Sequence, residues 1–352
     1  MAWIDPFSLR KAKRAGNWVL LVITFVLTLL GIEFLLRLYL PLHFVSSNEF
    51  YRYDPEMGFV VKPGHHLTLK DYQQEVYVSG LGTINFQEDF REYEKLIFAL
   101  GDSYTQGIGV HADASYPFQL DLLLNLDEGG IYRKKFGVVN LGLSAFGGEQ
   151  SLIAFKRYTR LIGKPALVLY LGCDNDYSDD IWFKSGGAHK GIVEGNPYWG
   201  WMYIPVKWAF VDTEIGKRVK YLIKKKRLEA QRDTIRIDTP APGTPKGEGK
   251  TSVAELEINV LQRIIQTCKG NGAQVILSWA NDSPSYQYLR SWAKQEGYAF
   301  ADWIPAVHSV RKSIPALPPG NPHSGGHYRT WVNQLIAREF AREIKKLMAD
   351  NP

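Results

Sequence analysis

From residue 95 onward, short apolar runs alternate with stretches whose apolar residues recur every three or four positions. The runs fall at 96–100, 137–141, 166–171, 273–279 and 297–301. The helical periods fall at 116–126, 149–160, 252–269, 284–296 and 330–348. Short apolar runs bounded by turn residues read as buried strands, and the longer periodic stretches as amphipathic helices. Strand–helix alternation of this kind predicts an α/β fold, a three-layer α/β/α sandwich around a mainly parallel sheet. In such a sheet, ligands bind beyond the carboxyl ends of the strands. Residues 95–352 form the predicted domain.

Two segments break the rhythm. Residues 18–32 are apolar apart from threonines and Gly31, and apolar character resumes after Glu33 and after Arg37. About 20 apolar residues cross a bilayer, so residues 17–40 are predicted to be one transmembrane helix in contact with membrane lipid. A cleaved signal peptide has a similar basic start and apolar core, but no small-x-small cleavage site follows here. Glu33 and Arg37 are spaced to pair on one helix face. Arg10, Lys11, Lys13 and Arg14 place residues 1–16 in the cytoplasm. The large domain is then expected across a bacterial inner membrane, in the periplasm of a Gram-negative cell. Residues 41–94 read as a stalk and irregular lead-in.

The second break is an insertion at about 182–250. Its first half carries Trp182, Phe183, Tyr198, Trp199, Trp201, Tyr203, Trp208 and Phe210; the basic run Lys217–Arg227 and a Pro/Gly-rich connector at 239–249 follow. Tryptophan and tyrosine beside lysine suit a headgroup interface or a protein partner. A solvated basic helix beside packed aromatics and a lid over the site are the other readings. Composition adds limits. The net charge of +6 on 352 residues gives little support for nucleic-acid binding, and two cysteines, Cys173 and Cys268, make no disulfide framework. Both are expected to be free thiols.

The chemistry gathers at the predicted strand ends. Leu96–Gly107 reads Leu-Ile-Phe-Ala-Leu-Gly-Asp-Ser-Tyr-Thr-Gln-Gly, an apolar run that stops at Gly101-Asp102-Ser103. Val138–Gly147 ends a second strand in a small-residue turn. Ala166–Asp180 ends a third in Asn175-Asp176. Near the C-terminus, Gly325-Gly-His-Tyr328 precedes a helical period through Ile336-Ala337. Ser, a glycine block, Asn-Asp and His in this order resemble the SGNH/GDSL hydrolase family. Glu33-Phe-Leu-Leu-Arg37 and Tyr53-Asp-Pro-Glu-Met-Gly58 resemble its membrane-anchored bacterial subgroup.

That resemblance implies an SGNH-like, flavodoxin-like sheet and a serine ester chemistry with no metal and no cofactor. Carried over position by position, Ser103 is the nucleophile and His327 the base, with His323 as the alternative base. The oxyanion donors are the backbone amides of Ser103 and Ala145 and the side chain of Asn175. Two positions depart from the family pattern. Ser324 stands where the family has an aspartate to orient the histidine, and Ala145 stands where it has an oxyanion-hole glycine. Asp302 is a distant substitute for the missing carboxylate. Two functions follow. One is a membrane-anchored acyl esterase or acyltransferase acting on cell-envelope glycans or lipids. The other is a catalytically lapsed SGNH-fold subunit of a membrane complex.

Overall fold

The computed structural model describes residues 6–39, 50–69, 74–186, 213, 215–216, 218–219, 250–321, 324 and 326–350. It divides into two compact units, one of Met1–Phe44 with Pro197–Lys226 and one of Val45–Asn196 with Arg227–Pro352.

In the first unit, α1 (Pro6–Tyr39) begins well before the apolar stretch, so the basic lead is helical too. Its Gly16–Tyr39 part is long and apolar enough for a membrane span or a signal sequence. Arg37 Nε lies 2.7 Å from Glu33 Oε1, the expected i,i+4 pair.

The second unit is built on five parallel strands. They are β5 (Lys95–Gly101), β6 (Phe136–Asn140), β7 (Leu167–Gly172), β8 (Gln274–Trp279) and β9 (Ala299–Phe300), in the order β6-β5-β7-β8-β9. Counted within the sheet, this is the 2-1-3-4-5 order of flavodoxin-like folds. Ile97, Phe98, Ala99 and Leu100 of β5 are fully buried, as are Leu167–Leu171 of β7. Near-continuous apolar strands are what a sheet covered on both faces requires. Helices α4 (Gly148–Leu161), α6 (Lys250–Gly270) and α7 (Pro284–Gln295) pack together along the sheet. Helices α3 (Tyr116–Asn125), α8 (Ile304–Ser313) and α9 (Thr330–Asp350) form the other helical group. The short helices α2 (Ser103–Gln106) and α5 (Asp176–Lys184) follow β5 and β7 directly.

All five predicted strands and all five predicted helices are present, within two residues at every end. The lead-in differs from the irregular segment expected of it. It contains two antiparallel pairs, β1 (Tyr51–Asp54) with β2 (Gly58–Val61) and β3 (His65–Leu69) with β4 (Gln74–Val78). Met57, Phe59, Val60, Val61, Val76 and Val78 belong to the main core. The Asp54–Gly58 motif is the turn of the first hairpin. Asp54 Oδ1 accepts the N–H groups of Glu56 and Met57 at 3.0 and 2.9 Å. Arg157 on α4 then grips Asp54 at 2.8 Å and Glu56 at 2.6 Å. Burial raises the Asp54 pKa, but Arg157 and the turn amides outweigh it, and the net shift is downward.

Candidate active site

The site lies where the strand order reverses, between β5 and its neighbours β6 and β7, the crevice that open α/β sheets use for ligands. Gly101 ends β5 at φ +146°, a conformation that an L side chain rarely adopts. A methyl there would also collide with Thr105 Oγ1 and the Leu171 carbonyl. This sharp exit places Ser103 at the first position of α2, with Asp102 capping the turn through a 2.9 Å bond from Tyr104 N–H.

Ser103 and His327, 224 residues apart, meet. His327 Nε2 is 2.7 Å from Ser103 Oγ. The other ring nitrogen, Nδ1, bonds the backbone carbonyl of Ser324. A carbonyl only accepts, so Nδ1 carries the hydrogen and Nε2 is left as acceptor for the hydroxyl. The loop is fixed on both sides. Asn321 N–H donates to the His327 carbonyl at 2.7 Å, and Asn321 Nδ2 donates to the Gly109 carbonyl at 2.7 Å. Gly109 lets the two loops approach, since a Cβ there would overlap the Ser324 side chain. Burial holds the His327 pKa below the ordinary histidine value, with the Ser324 carbonyl opposing. Tyr104 packs against the imidazole at a ring distance of 4.9 Å.

No carboxylate contact to His327 is present among the described residues. Asp302 bonds the Tyr286 hydroxyl and pairs with Arg290 at 2.7 Å instead. Ser324, where the resemblance implies an aspartate, has its side chain on the Asn321 carbonyl at 3.1 Å. His323 lies outside the described residues.

The three oxyanion candidates are differently prepared. The Ser103 and Ala145 amides donate to no described group. Ala145 has φ +62°, the one positive value at a non-glycine residue among the described residues. The backbone thus keeps the left-handed conformation that suits glycine while carrying a methyl. Asn175 ends the loop after β7. Its Nδ2 donates to Asp179 Oδ2 at 2.5 Å, and its Oδ1 accepts from Cys173 Sγ at 2.6 Å. An amide nitrogen has two hydrogens, so one remains for an oxyanion while Cys173 and Asp179 fix the plane of the group.

Three carboxyls beside the site, two of them inside the quoted motifs, were given no role by the sequence. Asp102 Oδ2 lies 3.2 Å from Ser103 Oγ, and burial, with the Asp179 charge adding, pushes its pKa up to about 7. Burial likewise pushes Asp179 up to about 6. Asp176 Oδ2 accepts from Tyr170 Oη at 2.7 Å and from Cys173 N–H at 3.2 Å, pinning the Asn175 loop from below. Burial raises the Asp176 pKa well above the ordinary carboxylate value, with the Glu257 and Asp102 charges adding. The sequence signal for Asp179 was available, since it sits four residues after Asn175 at the start of a helix. Both cysteines are free. No group of metal-binding side chains occurs among the described residues.

Sheet order, motif order and the Ser–His contact give the large unit an SGNH-like α/β fold. Among solved structures it is similar to GDSL lipolytic proteins and related esterases. A lipolytic protein of the G-D-S-L family from Desulfitobacterium hafniense is 12% identical over 71% of this chain and 99% of its own, with a TM-score of 0.37. A G-D-S-L member from Veillonella parvula is 10% identical over 70% and 96%, with a TM-score of 0.38. A psychrotrophic esterase from Pseudoalteromonas is 12% identical over 72% and 99%, also at 0.38. At such values no activity carries across from any of them. No protein-family model and no curated protein matches the sequence.

Proposed function

We propose that this protein is a serine acyl esterase or acyltransferase that works with a Ser103–His327 dyad. The observation that carries the reading is the 2.7 Å contact between Ser103 Oγ and a His327 ring whose other nitrogen is committed to a carbonyl. A serine hydroxyl is a weak nucleophile until a base takes its proton. Here Nε2 takes it as Oγ attacks the ester carbonyl. The developing oxyanion is received by the Ser103 and Ala145 amides and by Asn175 Nδ2. Donors of this kind are each worth roughly 3 kcal/mol. His327 then returns the proton to the departing alcohol, and water or an acceptor hydroxyl releases the acyl group from Ser103.

The missing aspartate weakens this dyad without dismantling it. In a serine protease with a complete triad, replacing the orienting aspartate by asparagine costs about 10⁴ in rate because the tautomer becomes wrong. The Ser324 carbonyl keeps the required tautomer, and what is lost is the counter-charge to the imidazolium. Envelope glycans or lipids are the proposed substrates. The reading is supported by the apolar α1, taken as an uncleaved anchor, and by the basic residues before it, which favour a cytoplasmic N-terminus and a periplasmic large unit. The absent counter-charge is what favours a lapsed enzyme serving as a complex subunit. Turnover of p-nitrophenyl acetate by the full chain in mild detergent separates the two. The esterase reading expects turnover that Ser103→Ala and His327→Ala each abolish. Turnover absent in wild type, or unchanged in Ser103→Ala, rejects it.

A further inference from the structure

Glu33 is out of place in α1. The helix carries no ionisable side chain from Trp18 to Ile32, and one in such a segment costs roughly 2.5–3.5 kcal/mol at a bilayer centre, less toward its edge. Such residues are therefore expected to have a partner and a purpose. Glu33 is also, with Leu36, one of the two partly covered residues between positions 16 and 39. Its side chain is 13% exposed, while Phe34, Leu35 and Leu38 are each more than half exposed. A helix that is amphipathic toward water shows the reverse.

Between residues 16 and 39, only Glu33 and Leu36 are partly covered. They are three apart and therefore share one face. Ile215 and its described neighbours reach that face. Ile215 N–H donates to Glu33 Oε2 at 3.0 Å, while Arg37 holds Oε1 at 2.7 Å. Thr213 Oγ1 accepts from Gly216 N–H at 2.9 Å, closing a turn around Ile215. Thr213, Ile215, Gly216 and Arg218 are all half-buried. Each Glu33 oxygen thus has a charge-assisted hydrogen bond, the strong kind.

We infer that the Glu33–Leu36 face of α1 is the seat of the insertion, with Thr213, Ile215, Gly216 and Arg218 of the same chain docked there at the outer end of the membrane helix. The inference rests on the anchor reading for its membrane setting only. It gives Glu33 its purpose, which is to hold the insertion at the bilayer surface. In sequence, Trp208 and Phe210 shortly precede the seat and the Lys217–Arg227 run starts within it, residue types that suit headgroups. This makes the stretch around Ile215 an interfacial element of its own chain.

The test places the photo-crosslinking residue p-benzoyl-phenylalanine at Leu36 in the full-length chain, irradiates intact membranes and maps adducts by mass spectrometry. The expected product is an intrachain adduct to the 213–219 peptide. Glu33→Leu is expected to lower its yield severalfold, and Glu33→Gln, which keeps an acceptor oxygen, to retain most of it. Adducts to lipid alone, to another segment or to a second copy of the chain overturn the inference. An adduct insensitive to Glu33→Leu overturns the role given to Glu33. Carbonate extraction of the same membranes keeps the two claims apart. An extractable chain rejects the anchor, while the adduct alone decides the seat.

Discussion

Replacing Ala145 by glycine should stabilise this protein, although glycine substitutions usually do the opposite. Ala145 sits at φ +62°, where the Cβ of an L-residue crowds the following carbonyl at a cost of roughly 1–2 kcal/mol. Removing the methyl releases that strain. Against it stands the greater freedom of glycine in the unfolded chain, about 0.4–1 kcal/mol. The difference is a gain of about 0.5–1 kcal/mol, or about 1–3 °C in a domain of this size. Ala145→Val provides the opposite arm. A β-branched side chain at this φ is a genuine outlier and should cost roughly 1–3 kcal/mol. The assay is equilibrium urea unfolding of the full chain in nonionic detergent, followed by tryptophan fluorescence. Midpoints can be compared only if the m-values agree. Ala145→Gly keeps the amide N–H, so ester turnover should hold or rise. A destabilised Ala145→Gly with a tolerated Ala145→Val would refute the reasoning. Lost turnover in Ala145→Gly would mean that the methyl itself contacts substrate.

Four further outcomes are expected. Because burial lowers the His327 pKa, the base stays neutral until pH falls below the ordinary value of about 6.5; the acid limb of kcat/KM should centre below it, and a limb at or above it contradicts the assignment. Asn175→Ala should reduce kcat by about 10²–10³ with little change in KM, the signature of a group acting in the transition state; a change in KM alone would make Asn175 a binding residue. Arg157→Ala should cost about 1–3 kcal/mol by unclipping the hairpin. Since the Asp54 pKa is lowered in the folded state, that stabilisation is present above the unfolded value of about 3.9 and is lost as pH falls through the folded one; a wild-type minus variant difference that grows on acidification would be wrong in sign. Gly101→Ala should cost roughly 3 kcal/mol or more through backbone strain and overpacking, so a soluble, fully active variant would count against the sharp exit from β5.

The sheet was legible in the sequence because its strands are buried on both faces. Unbroken runs such as Leu96–Leu100 and Leu167–Leu171 leave no other use for that much apolar surface. The helices α4 and α9 were legible from their three- and four-residue periods. The hairpins of residues 51–78 were not. Their strands have four or five residues, too few for a period, and Gly58-Phe-Val-Val61 is buried throughout without alternating. The Asp54 turn is stabilised by Arg157, about a hundred positions away, and local pattern carries no record of that. In the site, Ser103 and His327 were marked by strand-end chemistry and motif order. Ala145 was marked as a departure, and its φ of +62° is a backbone conformation that suits glycine. The Ser324 carbonyl was invisible for a plain reason: every residue has one, so only the structure shows that it faces Nδ1. Tyr198–Phe210 and most of the basic run, on which the insertion reading drew, lie outside the described residues.

The central claim is that His327 makes Ser103 a nucleophile. A fluorophosphonate ester tests it without any knowledge of substrate, because the reagent phosphonylates only a serine whose proton has a base to go to. The full-length chain in mild detergent is treated with the probe, digested and mapped by mass spectrometry. The account predicts one adduct, on the peptide containing Ser103, absent from Ser103→Ala and reduced at least a hundredfold in initial rate in His327→Ala, the scale on which general-base catalysis operates. An unlabelled wild type, or Ser103 labelled equally fast without His327, would contradict it.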